Sequence, residues 1–366
     1  MPDAFGLVGG ALNASYDDRQ KQNHAEYQVK TAIRQFVPPI ILVVGTFGNV
    51  MAIIIMRRKE FRSRSSAMPV LMTALAVCDT VLLYTGLLGI WIGAVSGVDF
   101  RMEHFLLCKI HTWIVYATFY TDAWILVAMT IERMTSVLKP LKVHATFTRR
   151  RGHSIVVGTA LFFFAISAHI LFGRDVRVNK RGTTRCMAWD EDYKNFFLGA
   201  WVWFDLMMHC LLPGIVLITG NAVIIWKVKA STRVSVALGN TRPIHRRRIS
   251  FLSEAFLLLS LVFLLTTLPI SVMNIMEPYL RQLPKDPQTK AVLELAWTVT
   301  GIMEYINNAV NFYMFCLSGS VFRREAKAVL TCKAEPETPI TASAQRCTKT
   351  YSGRLNRSST QLSNPL

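Results

Sequence analysis

Seven long, mostly apolar stretches constrain this chain more than any other feature: 36–56, 67–95, 105–137, 152–172, 196–226, 249–275 and 291–317. A bilayer core takes about 20 such residues per helix. Lipid offers no partner to a bare backbone amide, so runs of this length cross it as helices. The third, fifth and sixth exceed what the bilayer needs, as tilted helices that project into water would, and the seventh is the most polar. Of the 366 residues 52% are hydrophobic and only 17% charged, with a net charge of +18. That excludes a disordered or fibrous chain and argues against an ordinary soluble enzyme. A nucleic-acid binder would share the charge but not the continuous apolar sequence. Seven cysteines are too few for a disulfide scaffold. The predicted fold class is an all-α membrane protein, a seven-transmembrane helix bundle. Its expected parts are an extracellular segment (1–33), the bundle (34–318), a short amphipathic eighth helix (319–332) and a disordered cytoplasmic tail (333–366).

An odd number of spans puts the two ends on opposite sides, and the distribution of Lys and Arg decides which is which. The loops after spans one, three and five, with the tail, hold 25 basic residues against five acids, whereas the other side holds 15 against 13. The first set is expected in the cytoplasm and the N-terminus outside, at the plasma membrane. No signal peptide is expected, because Asp3 stands where a positive segment belongs. Asn13-Ala14-Ser15 makes Asn13 a candidate glycosylation site on the outer end, although such triplets are common by chance.

Polar residues inside spans are costly in lipid and usually mark function. Span one carries Gly48-Asn49-Val50 and span two Leu75-Ala76-Val77-Cys78-Asp79. Span three begins near Cys108 and ends, 25 residues on, at Arg133 within Glu132-Arg133-Met134. Pro140-Leu141 follows; Pro213 lies in span five, Phe263 and Pro269 in span six, and Asn307-Asn308-Ala309-Val310-Asn311-Phe312 in span seven. In this order the residues resemble the rhodopsin-like (class A) G-protein-coupled receptors, from about Thr31 to Leu330. The Asn311-Phe312 variant, followed by Cys316-Leu317-Ser318-Gly319, is most similar to neuropeptide receptors of the FMRFamide and thyrotropin-releasing-hormone type. The resemblance implies a receptor rather than an enzyme. It would bind an extracellular ligand, a neuropeptide, and activate a heterotrimeric G protein, Gq/11 ahead of Gi/o. Arrestin, receptor kinases and membrane lipid are further implied partners; nucleic acid is not. No cofactor is implied beyond a candidate allosteric sodium ion.

The chain also departs from that family. Span six has Thr266-Thr267-Leu268-Pro269 where Cys-Trp-x-Pro is usual, so Thr267 replaces the switch tryptophan. Asn221 stands where a tyrosine is common, Phe312 and Phe315 replace a proline and a tyrosine, and Arg101 occupies a frequent tryptophan position. High basal activity or an unusual trigger is the corresponding alternative.

The resemblance assigns roles residue by residue. Asp79, Asn49, Asp122, Asn307 and Asn311 are expected to converge, and their oxygens suit a hard cation such as sodium. The competing reading is a protonated, hydrogen-bonded pair of carboxyls. Glu132 is expected to latch Arg133, with Glu254 a second partner, and Met134, Asn221, Phe263, Thr267, Pro269, Asn311 and Phe315 fall at coupling positions. Cys108 and Cys186 are both expected outside, where a bridge would tie the second outer loop to span three. Cys332, after an amphipathic stretch that reads as the eighth helix, is a candidate palmitoylation site.

The ligand is the least legible part. Positions carried over from the family are His111, Val115, Tyr116, Phe119, Asp205, His209, Glu277, Trp297, Glu304 and Tyr305, with Thr267 and Met273 beside them. Val115 stands where amine receptors carry an aspartate, which argues against an amine. Asp205, Glu277 and Glu304 would suit a cationic peptide group, and the aromatic residues are equally ordinary packing. The loop 173–193 reads as a hairpin lid turning at Lys180-Arg181-Gly182-Thr183. Thr348, Thr350, Ser352, Ser358, Ser359 and Thr360 in the tail are candidate phosphorylation sites. A transporter is disfavoured by the lack of an internal repeat, an opsin by the lack of a lysine in 291–317, and a hydrolase by the lack of a paired catalytic motif. A chemosensory receptor with a non-peptide ligand remains the alternative.

Overall fold

The computed structural model describes residues 25–62, 66–178, 184–188, 190–237, 243–280, 286–318 and 320–331. Asn13, Cys332, the hairpin turn 179–183 and the tail sites from Thr348 to Thr360 lie outside the described residues, as does the side chain of Glu254.

Seven long helices form one bundle. Helix α1 is Ala25–Arg57 and α2 is Met68–Ser96, with a π turn at Leu83–Leu87 and a stop at Gly97, whose φ of 74° a side chain would resist. Helix α3 is Phe105–Leu138, started by the His104 ring, which accepts from the Leu106 amide. Helix α4 is Arg149–Ile166 continued, past a break at Ser167, by His169–Gly173. Helix α5 runs from Glu191–Phe196 to Leu212–Ala237 through π turns at Phe197–Trp201 and Leu206–Leu211. Helices α6, Pro243–Leu280, and α7, Pro287–Ser318, complete the ring, and α8, Ser320–Leu330, follows. Asp286 caps α7: hydrogen bonds from the Thr289 side chain and backbone hold its carboxyl below the usual aspartate value.

Six of these helices, α1 to α6, are long and apolar enough to span a membrane among the described residues. Helix α7 is the exception because it carries Glu304 and three buried asparagines, Asn307, Asn308 and Asn311. Helix α1 includes polar turns before the apolar run at 36, and there Lys30 pairs with Glu294 of α7 at 2.7 Å.

Helix α3 is central and packs on α2, α4 and α5, while α1 packs on α2 and α7, and α6 on α5 and α7. Phe36, Val43, Leu161, Phe162, Ile215 and Leu265 face outward as a lipid-facing belt. One core cluster, at the α8 end, gathers Ile55, Leu75, Met129, Phe263 and Phe315; Phe322 of α8 plugs it, within 6 Å of the rings of Phe312 and Phe315. A second joins Leu83, Leu87, Val115, Phe119 and Tyr305. A third is an aromatic cluster of Tyr116, Tyr120, Phe163, Phe197 and Trp201.

At the other end, β1, Arg174–Val178, pairs antiparallel with β2, Thr184–Ala188, with Val176 opposite Cys186. The expected hairpin is therefore present, and the Cys108–Cys186 disulfide fastens it to α3.

Candidate ligand and activation site

A column of buried polar groups runs the length of the bundle. At its middle, Asp79 of α2 accepts from the side-chain amides of Asn308 and Asn311 of α7, both at 2.9 Å. Asn308 also reaches Asp122 of α3 at 3.5 Å, and its carbonyl accepts from the Asn49 amide at 3.3 Å. Asp79, Asp122, Asn49 and Asn311 thus converge, but the residue that joins them is Asn308 and not Asn307. Both lie one turn from Asn311, at i−3 and i−4, so spacing alone does not choose between them. Four buried side-chain oxygens here accept no hydrogen bond among the described residues: Asp122 Oδ1 and the amide oxygens of Asn307, Asn308 and Asn311. Orphan oxygens around two carboxyls form a donor set that a hard monovalent cation fits. Among the described residues no three His, Cys, Asp or Glu side chains gather as a metal site.

Toward the hairpin end the acids are buried and largely engaged with one another's neighbours. Asp205 accepts from the Tyr120 hydroxyl at 2.7 Å and the Asn274 amide at 3.3 Å. His209 lies 3.5 Å from Glu304, with the Phe119 ring at 5.3 Å. Glu277 is buried and Trp297 half-buried. Asn274 was not legible beforehand, since a lone amide on an apolar helix names no partner.

A small, partly open cavity lies between α1, α2, α3 and α7, bounded also by β1. His111, Val115, Tyr116 and Tyr305 line it; Phe119, Asp205, His209, Glu277, Trp297 and Glu304 do not. His111 Nε2 is 2.7 Å from the Thr85 carbonyl, and its ring meets Phe100 edge-on at 5.2 Å. The charged lining is Arg34, Asp99, Arg101 and Arg174, which family position does not predict. Asp99 grips Arg101 through Nε at 2.8 Å and through Nη2, and it caps the short helix Phe100–Met102. The cationic ligand group expected from the bundle acids therefore does not describe this opening. The signals for it in the sequence are Arg101, at a position where the family often has tryptophan, and Lys30 and Arg34, one turn apart in the polar start of α1.

At the α8 end, Glu132 accepts from the Ser66 hydroxyl at 2.5 Å. The acid is thus tethered to the start of α2, and the charge of the adjacent Arg133 also acts on it. Ser66 precedes that helix, a position no span motif singles out. Met134 is half-buried beside Arg133. Asn221 donates to Ser260 between α5 and α6 at 2.5 Å. Phe263 and Thr267 are almost wholly buried, Pro269 lies inside α6, and Phe315 is part of the core.

Known proteins match this arrangement along most of the chain. The FMRFamide receptor of Drosophila melanogaster is 26% identical over 309 residues, covering 78% of this chain and 51% of that protein. Galanin receptor 2a of Danio rerio is 22% identical over 324 residues, covering 88% of this chain and 84% of that protein. Relaxin-3 receptor 1 of Homo sapiens is 22% identical over 329 residues, 81% of this chain and 68% of its own. The chain thus spans about half the length of the first of these relatives. Residues 48–311 match the family model of the 7 transmembrane receptor (rhodopsin family). That segment holds Asn49, Asp79, Asp122, Arg133, Asn308 and Asn311, and the chain belongs to the rhodopsin family of seven-transmembrane receptors.

Proposed function

We propose that this multi-pass membrane receptor is activated by an extracellular peptide and passes the signal to a heterotrimeric G protein. The observation that carries the reading is the buried polar column from Glu304 and Asp205, through Asp79, to Asn221 and Glu132. Polar groups held in a bundle that lipid surrounds need a purpose other than stability. A ligand that favours one arrangement of these contacts shifts a two-state equilibrium. The relatives are named for FMRFamide, galanin and relaxin-3, which supports a peptide over an amine. In this reading the hairpin end faces outward and the α8 end inward, as the basic loops require. The G protein meets Arg133 at the inward end, with Gq/11 ahead of Gi/o, and arrestin and receptor kinases act on the tail.

We further assign a sodium ion to Asp79, Asp122, Asn308 and Asn311, with Asn307 adjacent. Their orphan oxygens support it. Binding there would favour the resting arrangement and raise Tm in sodium chloride over choline chloride. That gain should vanish in Asp79→Asn.

The test of the whole reading is a second-messenger screen. Cells expressing the chain receive a library of amidated neuropeptides, and calcium and cyclic AMP are read, with Arg133→Ala as control. A peptide response lost in that variant at normal surface expression is the expected result. Silence across the library would sink the peptide reading. Thr267, buried where the family's tryptophan is usual, favours the second reading in that case: a receptor with high basal activity or a non-peptide ligand.

A further inference from the structure

We infer that the cavity between α1, α2, α3 and α7 is a subsite for a carboxylate on the ligand. The inference rests on the receptor reading above and deepens it by naming a chemical group. Arg34 is only 8% exposed, and its Nε has no hydrogen-bond partner among the described residues. The charges of two carboxylates reach Arg34, and each also has its own ion pair: Asp99 with Arg101, and Glu294 with Lys30 at 2.7 Å. The Tyr305 hydroxyl, fully buried in the same lining, also lacks a partner among those residues and is a second donor. Arg174 brings a third guanidinium, fixed beside the disulfide by donating from Nη2 to the Cys186 carbonyl at 3.1 Å. His111 Nε2 is already taken by the Thr85 carbonyl at 2.7 Å.

Among the described residues the lining includes three guanidinium groups and one carboxylate. A buried donor left unmet, such as Arg34 Nε, is costly, and a bound anion would accept from it. Guanidinium matches carboxylate through paired hydrogen bonds, which an ammonium does not reproduce. The space is kept open by glycines on α2: a Cβ at Gly86 would overlap the Tyr305 hydroxyl, and one at Gly89 the Phe100 ring. With Ile90, Val115 and Phe100 as apolar walls, the site suits an acid attached to an apolar group.

The carboxylate can come from a free C-terminus or from an acidic side chain, and three small probes separate these. N-acetyl-phenylalanine carries a terminal carboxylate, N-acetyl-aspartic acid α-amide a side-chain one, and N-acetyl-phenylalanine amide none. Thermal unfolding of the purified full chain in detergent, at constant ionic strength, is followed against each. The expected result is a saturable rise in Tm with one or both acids, absent with the amide and lost in Arg34→Gln. The acid that works assigns the source. If Arg34→Gln does not fold, Arg34→Lys keeps the charge without the fork, and the acid-specific rise should weaken. Equal rises with acid and amide, no rise at all, or an acid-specific rise that survives in the Arg34 variant would overturn the inference. A peptide response in the screen without an acid-specific rise keeps the receptor reading and discards this subsite. An acid-specific rise with a silent screen does the reverse.

Discussion

Asn308 does more at the centre of the bundle than any neighbour of its size. One side-chain amide donates to Asp79 and reaches Asp122, while its backbone carbonyl takes the Asn49 amide. Removing it leaves buried carboxyl oxygens without a donor, which costs about 1–3 kcal/mol. Asn308→Ala should therefore lower Tm clearly in thermal unfolding, and Asn307→Ala much less. Equal losses would mean that the two amides share the role. Gly86 is a second such position. The Tyr305 hydroxyl occupies the space a Cβ would take, so Gly86→Ala should cost about 1–3 kcal/mol by overpacking. An unchanged Tm would show that Tyr305 moves aside freely. Residue chemistry was legible in the sequence wherever an intramembrane charge had to be explained, as at Asp79, Asp122, Asp205 and Glu304. Which atoms meet was not. Choosing Asn308 over Asn307, or adding Ser66 as a partner of Glu132, depends on helix rotation and on a loop, and neither leaves a mark in the sequence.

At the scale of elements, the helices were legible from hydropathy. The apolar stretches fall within α1 to α7, and the hairpin falls in the loop expected to fold over the bundle. The polar start of α1 was not legible from hydropathy, and there Lys30 pairs with Glu294, far apart in sequence. Helix α8 is short, so its place depends on anchors: Phe322 enters the core, and Glu325 takes Arg58 at 2.8 Å. Truncating a buried phenylalanine costs about 3–5 kcal/mol. Phe322→Ala should thus detach α8 and reduce Tm and surface expression together; a fully stable variant would mean α8 is held by its polar contacts alone. The hairpin has its own fastening. Replacing Cys108 and Cys186 by serine should cost about 2–5 kcal/mol and abolish ligand response before it abolishes helix content, read by circular dichroism. Retained response in that double variant would show that the lid is positioned without its bridge.

For the whole molecule, the bundle holds a basic cavity at one end and Arg133 at the other. The family was legible in the sequence because its motifs are spaced along the full bundle. The cavity was not, because Arg34, Arg101 and Arg174 come from a helix, a loop and a strand that only the fold brings together. The central claim is that ligand at the hairpin end drives nucleotide exchange at the α8 end. Membranes carrying the chain, mixed with purified heterotrimeric G protein, test it most directly through the rate of GDP release. The peptide found active in cells should accelerate release, and Arg133→Ala, folded and at equal density, should leave release at the rate of the G protein alone. Release unaffected by that peptide, or accelerated equally by Arg133→Ala, would contradict it.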